Sequence, residues 1–308
     1  MAEEIERQIL AAVDGLRLDL YLARRFSAAG RRVWQERITA GKVLVNGRPV
    51  RPAHRLQRNS QISFFLPDRP EPEVDSHYSY VYRDADYAVI NKPANLPVHP
   101  AGPYRENTLL HLVEKKDGAR PHLISRLDRE TSGCLLVAWN PLWARFFFKE
   151  RQKMRKEYAV LVEGAFPDSL LAHGFLQQDL KSAVRKKRSF TRHPDESIAL
   201  ESASTEFFRE GYDAHRQLSF VRAVLHTGRM HQIRATLCSL GYPVVGDLLY
   251  GIDEGCYLRF LADALTPEDR SRLRLKRMAL HSWKLSVPLM NGDSAHYECE
   301  LPDEFKTA

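Results

Sequence analysis

Asp128 stands in the stretch HLISRLDRETSGCLLVAW, residues 122–139, where Arg126, Asp128, Arg129 and Glu130 interrupt sequence that is apolar on both sides. An aspartate among arginines reads in two ways. It can form a structural ion pair with Arg126 or Arg129, or it can be a carboxylate kept charged for chemistry. Three other stretches carry candidate groups. VINKPANLPVHP holds Lys92 before a proline-stiffened loop, and RKEYAVLVEG places Tyr158 near the start of a strand. In LHTGRMHQIRATLCSLGYPVVGDLLYG, Gly228 turns the chain ahead of Arg229, His231 and Arg234. Each also has a plain structural reading, and spacing alone cannot show that they meet.

Several chemistries are excluded by pattern. Gly-x-Ser-x-Gly, Gly-x-x-x-x-Gly-Lys, Gly-x-Gly-x-x-Gly and His-Glu-x-x-His are all absent. His226 and His231 are five apart, the wrong spacing for one helical face, so no metal is expected. The four cysteines, Cys134, Cys238, Cys256 and Cys299, never form Cys-x-x-Cys, which argues against zinc and against a disulfide framework.

The elements that would hold these groups follow from periodicity. Strands are predicted over YAVINK, HLISRL, GCLLVAW, EYAVLVEG, STEFFRE, LSFVRAVL and MALHSWKLSV, and helices over NTLLHLVEKK, NPLWARFFFKERQK and HQIRATLCSLG. Strands often follow one another without a helix between them, which predicts an α+β fold with a mixed, largely antiparallel central sheet and flanking helices. Asp128 is then expected in a turn held by two buried strands, with Thr131 and Ser132 bonding the turn and Gly133 allowing a tight bend or the close approach of a ligand.

Ahead of this lies a small α/β domain. Leu18, Tyr21, Leu22 and Phe26 form one helical stripe ended by Gly30; Val33, Trp34 and Ile38 turn inward from a second helix, and Asn46-Gly47 marks a hairpin. Between residues 14 and 58, eleven Lys and Arg face three acidic residues, so this segment carries +8 of a chain whose net charge is +7. Such a block is an electrostatic footprint for phosphate. The basic stretch 181–193 is either a second contact or a solvated loop. The prolines and acids of 67–77 read as a linker. The organisation expected is therefore an extension, 1–13, a small domain, 14–66, a linker, 67–77, and a larger domain, 78–308. An acidic start and the lack of a long apolar run point to a cytoplasmic protein, not one of the membrane.

RLDRETSG resembles the Arg-Leu-Asp-x-x-Thr-Ser-Gly signature of the RluA-type pseudouridine synthases. NKPANLPVHP, KEYAVLVEG, TGRMHQIR, GYPVVGDLLYG and LHSWKLSVP are similar to further segments of that family, in its order, and the basic block is similar to the RNA-binding domain named after ribosomal protein S-four. The resemblance implies an isomerase that needs no cofactor or metal. It makes Asp128 the catalytic carboxylate, Tyr158 a ring that stacks on a flipped uracil and relays a proton, and Arg229 the partner that keeps Asp128 charged. Arg126 would fill the hole left by the flipped nucleotide. RNA contacts are expected from Arg24, Arg25, Arg31, Arg32, Lys42 and Arg48 in the small domain and from Lys92, His231 and Arg234 in the larger one. The chain is expected to be monomeric, with large-subunit ribosomal RNA as substrate and tRNA as the alternative. A non-catalytic RNA-binding protein on the same fold and a base hydrolase using Glu130 are competing readings. Ser125, Asn95 and Met230 depart from the family's usual residues.

Overall fold

The apolar stripe of the basic block closes on a core of its own. Leu18, Tyr21 and Leu22 pack with Trp34, Ile38, Val43, Val45, Leu56, Ile62 and Phe64. The computed structural model describes residues 4–26, 30–67, 71–193 and 199–306, in two compact units, Met1–Pro72 and Glu73–Ala308. The boundary falls within the expected linker, of which residues 68–70 lie outside the described ones.

The small unit runs β1 (Glu4–Leu10), α1 (Leu18–Arg25), α2 (Arg31–Thr39), β2 (Val43–Val45), β3 (Arg48–Pro49) and β4 (Gln61–Pro67). Its antiparallel strands take the order β1-β4-β2-β3. The β2–β3 turn uses Asn46 and Gly47 at φ 50° and 74°, the conformations that favour this pair in a two-residue hairpin. Three expectations change. Residues 4–10 are no extension: β1 pairs along all of β4, from Glu4 opposite Pro67 to Leu10 opposite Gln61. Gly30 does not end α1, which stops at Arg25; it is the N-cap residue of α2, and residues 27–29 lie outside the described ones. Val33 is exposed, because the inward stripe of α2 runs through Trp34 and Ile38, four apart.

The larger unit contains β5 (Ser79–Arg83), β6 (Tyr87–Lys92), α3 (Leu109–Asp117), β7 (His122–Leu123), β8 (Ser132–Ala138), α4 (Pro141–Lys149), β9 (Arg155–Glu163), β10 (Ser169–Gln178), β11 (Arg188–Thr191), β12 (Glu201–Asp213), β13 (Leu218–Leu225), α5 (Gln232–Ser239), α6 (Glu254–Leu261), α7 (Pro267–Leu273), β14 (Leu280–Pro288), β15 (Ser294–Glu298) and α8 (Asp303–Lys306). One mixed sheet takes the order β11-β10-β12-β13-β9-β14-β8-β6-β5, with β15 on β14 and β7 on β8. All its pairs are antiparallel except β14–β8. That parallel join explains Gly133. At φ 103°, a Cβ there would lie 2.2 Å from the Ser282 carbonyl oxygen, so the glycine admits a neighbouring strand, not a tight bend or a ligand.

Side-chain caps fix four helices: Thr108 accepts from the His111 N–H, Asn140 from the Trp143 N–H, Asp253 from the Cys256 N–H and Thr266 from the Asp269 N–H. The strand expected over HLISRL is only β7, two residues long. The Leu136 N–H donates to Ser125 Oγ instead of to a neighbouring strand, so the ladder stops and residues 124–131 form a loop. Among the described residues, no helix is long and apolar enough to cross a membrane.

Candidate active site

The 124–131 loop is anchored by its apolar residue. Leu127 packs against the core under β9–β13 and against the core of β6, β8 and α3. Next to it, the Asp128 carbonyl accepts the Thr131 N–H at 3.2 Å. Lys92, at the end of β6, is fully buried. Its Nζ donates to the carbonyls of Pro93, Leu96 and Arg129 at 2.7, 2.9 and 3.1 Å. Burial pulls its pKa down to about 7. Lys92 therefore cannot touch RNA as expected; it fastens the proline-stiffened loop to the loop that carries Asp128. Asn95, between those carbonyls, sits at φ 57°, a conformation asparagine tolerates well.

The partner of Asp128 is Arg234, not Arg229. Arg234 Nη1 donates to Asp128 Oδ2 at 2.6 Å, and its Nε and Nη2 donate to Asp247 at 2.7 and 2.9 Å. Arg229 lies outside α5 and its Nε donates to the Ser202 carbonyl at 3.2 Å on the exposed side. The five-residue separation turns the two arginines away from each other, since α5 begins between them and buries Arg234. Arg234 is consequently no RNA contact. Burial alone would raise the Asp128 pKa, but the Arg234 guanidinium outweighs it, with smaller help from His231 and Lys186, and holds the carboxyl below its ordinary value. The Asp128 side chain remains 28% exposed, open to a substrate.

His231 precedes α5 at φ 56°. Its Nδ1 lies 2.9 Å from Tyr250 Oη, and Tyr250 Oη accepts the Arg188 N–H, which leaves the phenol hydrogen for the imidazole. The ring proton then belongs on Nε2, 3.9 Å from Asp128 Oδ2. Burial, with Arg234 beside it, pulls the His231 pKa down to about 4. The ring is neutral in the working range and adds little charge to the site.

Tyr158 is buried on β9, opposite Ser282 on β14 and Ala223 on β13. Burial pushes its phenol up to about 12; a hydrogen bond with Ser282 works against this and the charge of Asp128 adds to it. Ser132 does not bond the loop backbone. Its Oγ accepts from Arg277 Nη1 at 2.9 Å and lies 2.8 Å from His281 Nδ1, which ties the start of β8 to β14. Arg129 turns away from Asp128 to Glu130 and to Tyr104 Oη, at 2.7 and 2.6 Å. That pairing occupies Glu130.

Arg126 is exposed beside Asp128. In the small unit Arg24, Arg25, Lys42 and Arg48 are exposed, Arg32 pairs with Glu36, and Arg31 joins Arg17 and Gln35 on the buried Asp19 carboxylate. Asp247 and Tyr250 do not stand out within GYPVVGDLLYG. A buried aspartate two residues from a leucine-tyrosine run carries no periodic signal. Among the described residues no group of three metal-ligating side chains forms.

Residues 86–239 match the family model for RNA pseudouridylate synthase, and residues 16–62 match the S4 domain. The chain belongs to the RNA pseudouridylate synthase family. It is 31% identical over 248 residues to ribosomal large subunit pseudouridine synthase D of Xylella fastidiosa, covering 77% of this chain and 72% of that one. It is 34% identical over 201 residues to the mitochondrial tRNA pseudouridine(32) synthase of Saccharomyces cerevisiae, covering 64% and 42%. The structure of human RNA pseudouridylate synthase domain containing 1 shares the fold, with a TM-score of 0.58 at 24% identity over 76% of this chain and 87% of that one. As an RNA pseudouridine synthase, the chain is an isomerase, and its fold is the mixed α+β sheet of that family with an S4 domain ahead of it.

Proposed function

We propose that this pseudouridine synthase acts on uridines of large-subunit ribosomal RNA without a cofactor, with Asp128 as the reacting carboxylate. In the isomerisation the N1–C1′ bond breaks, the uracil turns, a C5–C1′ bond forms, C5 loses its proton and N1 gains one. Asp128 stays ionised for this because Arg234 is fixed against it. Tyr158 offers a ring face to a uracil flipped from its stack, which costs least in RNA loops. Its phenol is protonated at neutral pH, so it relays the C5 proton as a hydroxyl and not as a standing phenolate. In this reading Arg126, which is exposed, occupies the vacated position in the RNA.

The observation that carries this reading is the Asp128–Arg234 pair: a charged carboxylate, still open on one side, held by a buried guanidinium. The ribosomal target is supported by the basic small unit and by the Xylella relative. The yeast relative supports tRNA as the second reading. The test is tritium release from uracil C5 in unmodified ribosomal and transfer RNA transcripts, without added metal or nucleotide. Release from ribosomal RNA by the wild type and not by Asp128→Ala is expected. Release from tRNA alone would move the target, and free uracil among the products would mean hydrolysis.

A further inference from the structure

The segment 179–188 and helix α6 form one wall near Asp128. Glu254, at the start of α6, joins them: its Oε1 accepts the Ala183 N–H at 2.9 Å and its Oε2 meets Lys187 Nζ at 3.2 Å. Further along α6, the Tyr257 ring lies under Lys186, with Nζ 4.7 Å from the ring centre. Phe260, on the next turn, carries the Arg129 guanidinium at 5.4 Å, and Arg129 follows Asp128 in the chain. The far end of the segment is fixed by the Arg188 N–H on Tyr250 Oη, and Tyr250 leads through His231 back to Asp128.

Two adjacent lysines are thus used differently. Lys187 is spent on Glu254 and Asp179. Lys186 is exposed and, among the described residues, has no carboxylate partner. An aromatic face orients an ammonium without neutralising it, so the charge of Lys186 remains available to an anion. That charge also reaches the site, since it helps to lower Asp128. The anion that an RNA substrate brings to this place is a backbone phosphate.

We propose that Lys186, seated on Tyr257, takes the phosphate next to the reacting uridine and so positions the RNA over Asp128. This rests on the pseudouridine reading above. Lys186 is a positioning residue, and its test separates binding from turnover. Steady-state tritium release is measured for wild type, Lys186→Gln, Lys186→Arg and Tyr257→Leu across a salt series, with Lys149→Gln, an exposed lysine on α4, as a control for lost charge. Lys186→Gln should raise KM by about tenfold at low salt and reduce the salt slope by about 0.7 to 0.9, one phosphate contact. Lys186→Arg should restore both, Tyr257→Leu should raise KM in part, and Lys149→Gln should do neither. An unchanged KM would overturn the proposal. So would a fall in kcat at constant KM, which would assign Lys186 to the charge of Asp128. If the wild type releases no tritium, the pseudouridine reading fails, and filter binding of the same RNAs across the salt series still judges Lys186.

Discussion

Arg234 reaches Asp128 with one nitrogen while Asp247 holds the other two. Asp247 is fully buried, and its Oδ1 also accepts the Leu249 and Tyr250 N–H groups at 2.9 and 3.1 Å. The guanidinium is therefore fixed by the fold before any RNA arrives. Asp128 is left with one strong partner and one open side, the arrangement a reacting carboxylate needs.

Arg234→Met should lower turnover by about a thousandfold, because a fixed charge that stabilises the reacting group in a water-poor site is lost. It should also shift the acid limb of the rate profile. In the wild type the Asp128 pKa lies below its ordinary value, so the required charge persists as the pH falls towards about 4. Without Arg234, burial loses its main opponent and the carboxyl takes up a proton at higher pH. Arg229→Met should leave the pH profile of single-turnover tritium release unchanged. Equal losses in the two variants would return Arg229 to the site.

Tyr158→Phe keeps the ring and removes the hydroxyl. RNA affinity should stay within about twofold while turnover falls by about a hundredfold or more, the scale of a lost proton relay. Filter binding and tritium release on the same RNA separate the two effects. Normal turnover in the variant would remove the hydroxyl from the chemistry.

Much of this arrangement was legible in the sequence, and the failures share a cause. Largely apolar strands, such as Tyr87–Lys92 and Leu218–Leu225, stand where periodicity put them. β10 escaped because His173 and Gly174 break its pattern; the glycine is there to admit β11, with a Cβ placed 2.5 Å from the Thr191 carbonyl oxygen. β1 reads as an extension in the sequence because its partner, β4, lies more than fifty residues away in the chain. In the site, residue types could nominate Asp128 and Tyr158. They could not choose between Arg229 and Arg234, since that choice depends on where α5 begins and which side of it faces Asp247. Lys92 looked like an RNA contact because a buried lysine is rare; only the fold shows the three carbonyls that hold it.

Those carbonyls make Lys92→Met a test of stability. The substitution leaves the Pro93 and Leu96 carbonyls without their donor, each worth about 1–3 kcal/mol, while the Arg129 carbonyl keeps the Leu96 N–H at 3.1 Å. A loss of about 2 kcal/mol or more is expected in urea unfolding, and turnover should fall because the Arg129 carbonyl next to Asp128 keeps only one of its two donors. The salt dependence of RNA binding should not change, since Lys92 meets no phosphate. A shallower salt slope would contradict this and restore the lysine to the RNA surface.

Buried His231 and His281 set the acid stability of the larger unit. Burial pulls their pKa values down to about 4 and about 3, with Arg234 and Arg277 adding to the respective shifts. An unfolded histidine takes up its proton near pH 6.5. Between pH 6.5 and 4 the unfolded chain therefore binds more protons than the folded one, and stability must fall as the pH falls. At about 1.4 kcal/mol per pH unit for each ring, the loss approaches about 3 kcal/mol per histidine by pH 4. The depressed carboxylates Asp128 and Asp247 act lower: their stabilisation is present above the unfolded carboxylate range and is lost only as the pH drops through it. Urea midpoints at pH 7, 5.5 and 4.5 give the slope. His281→Gln, which cannot titrate, should begin less stable at pH 7 because Ser132 loses one of its two partners, and should then decline more gently than the wild type. Parallel slopes would show that His281 takes up its proton in the folded protein as readily as in the unfolded chain.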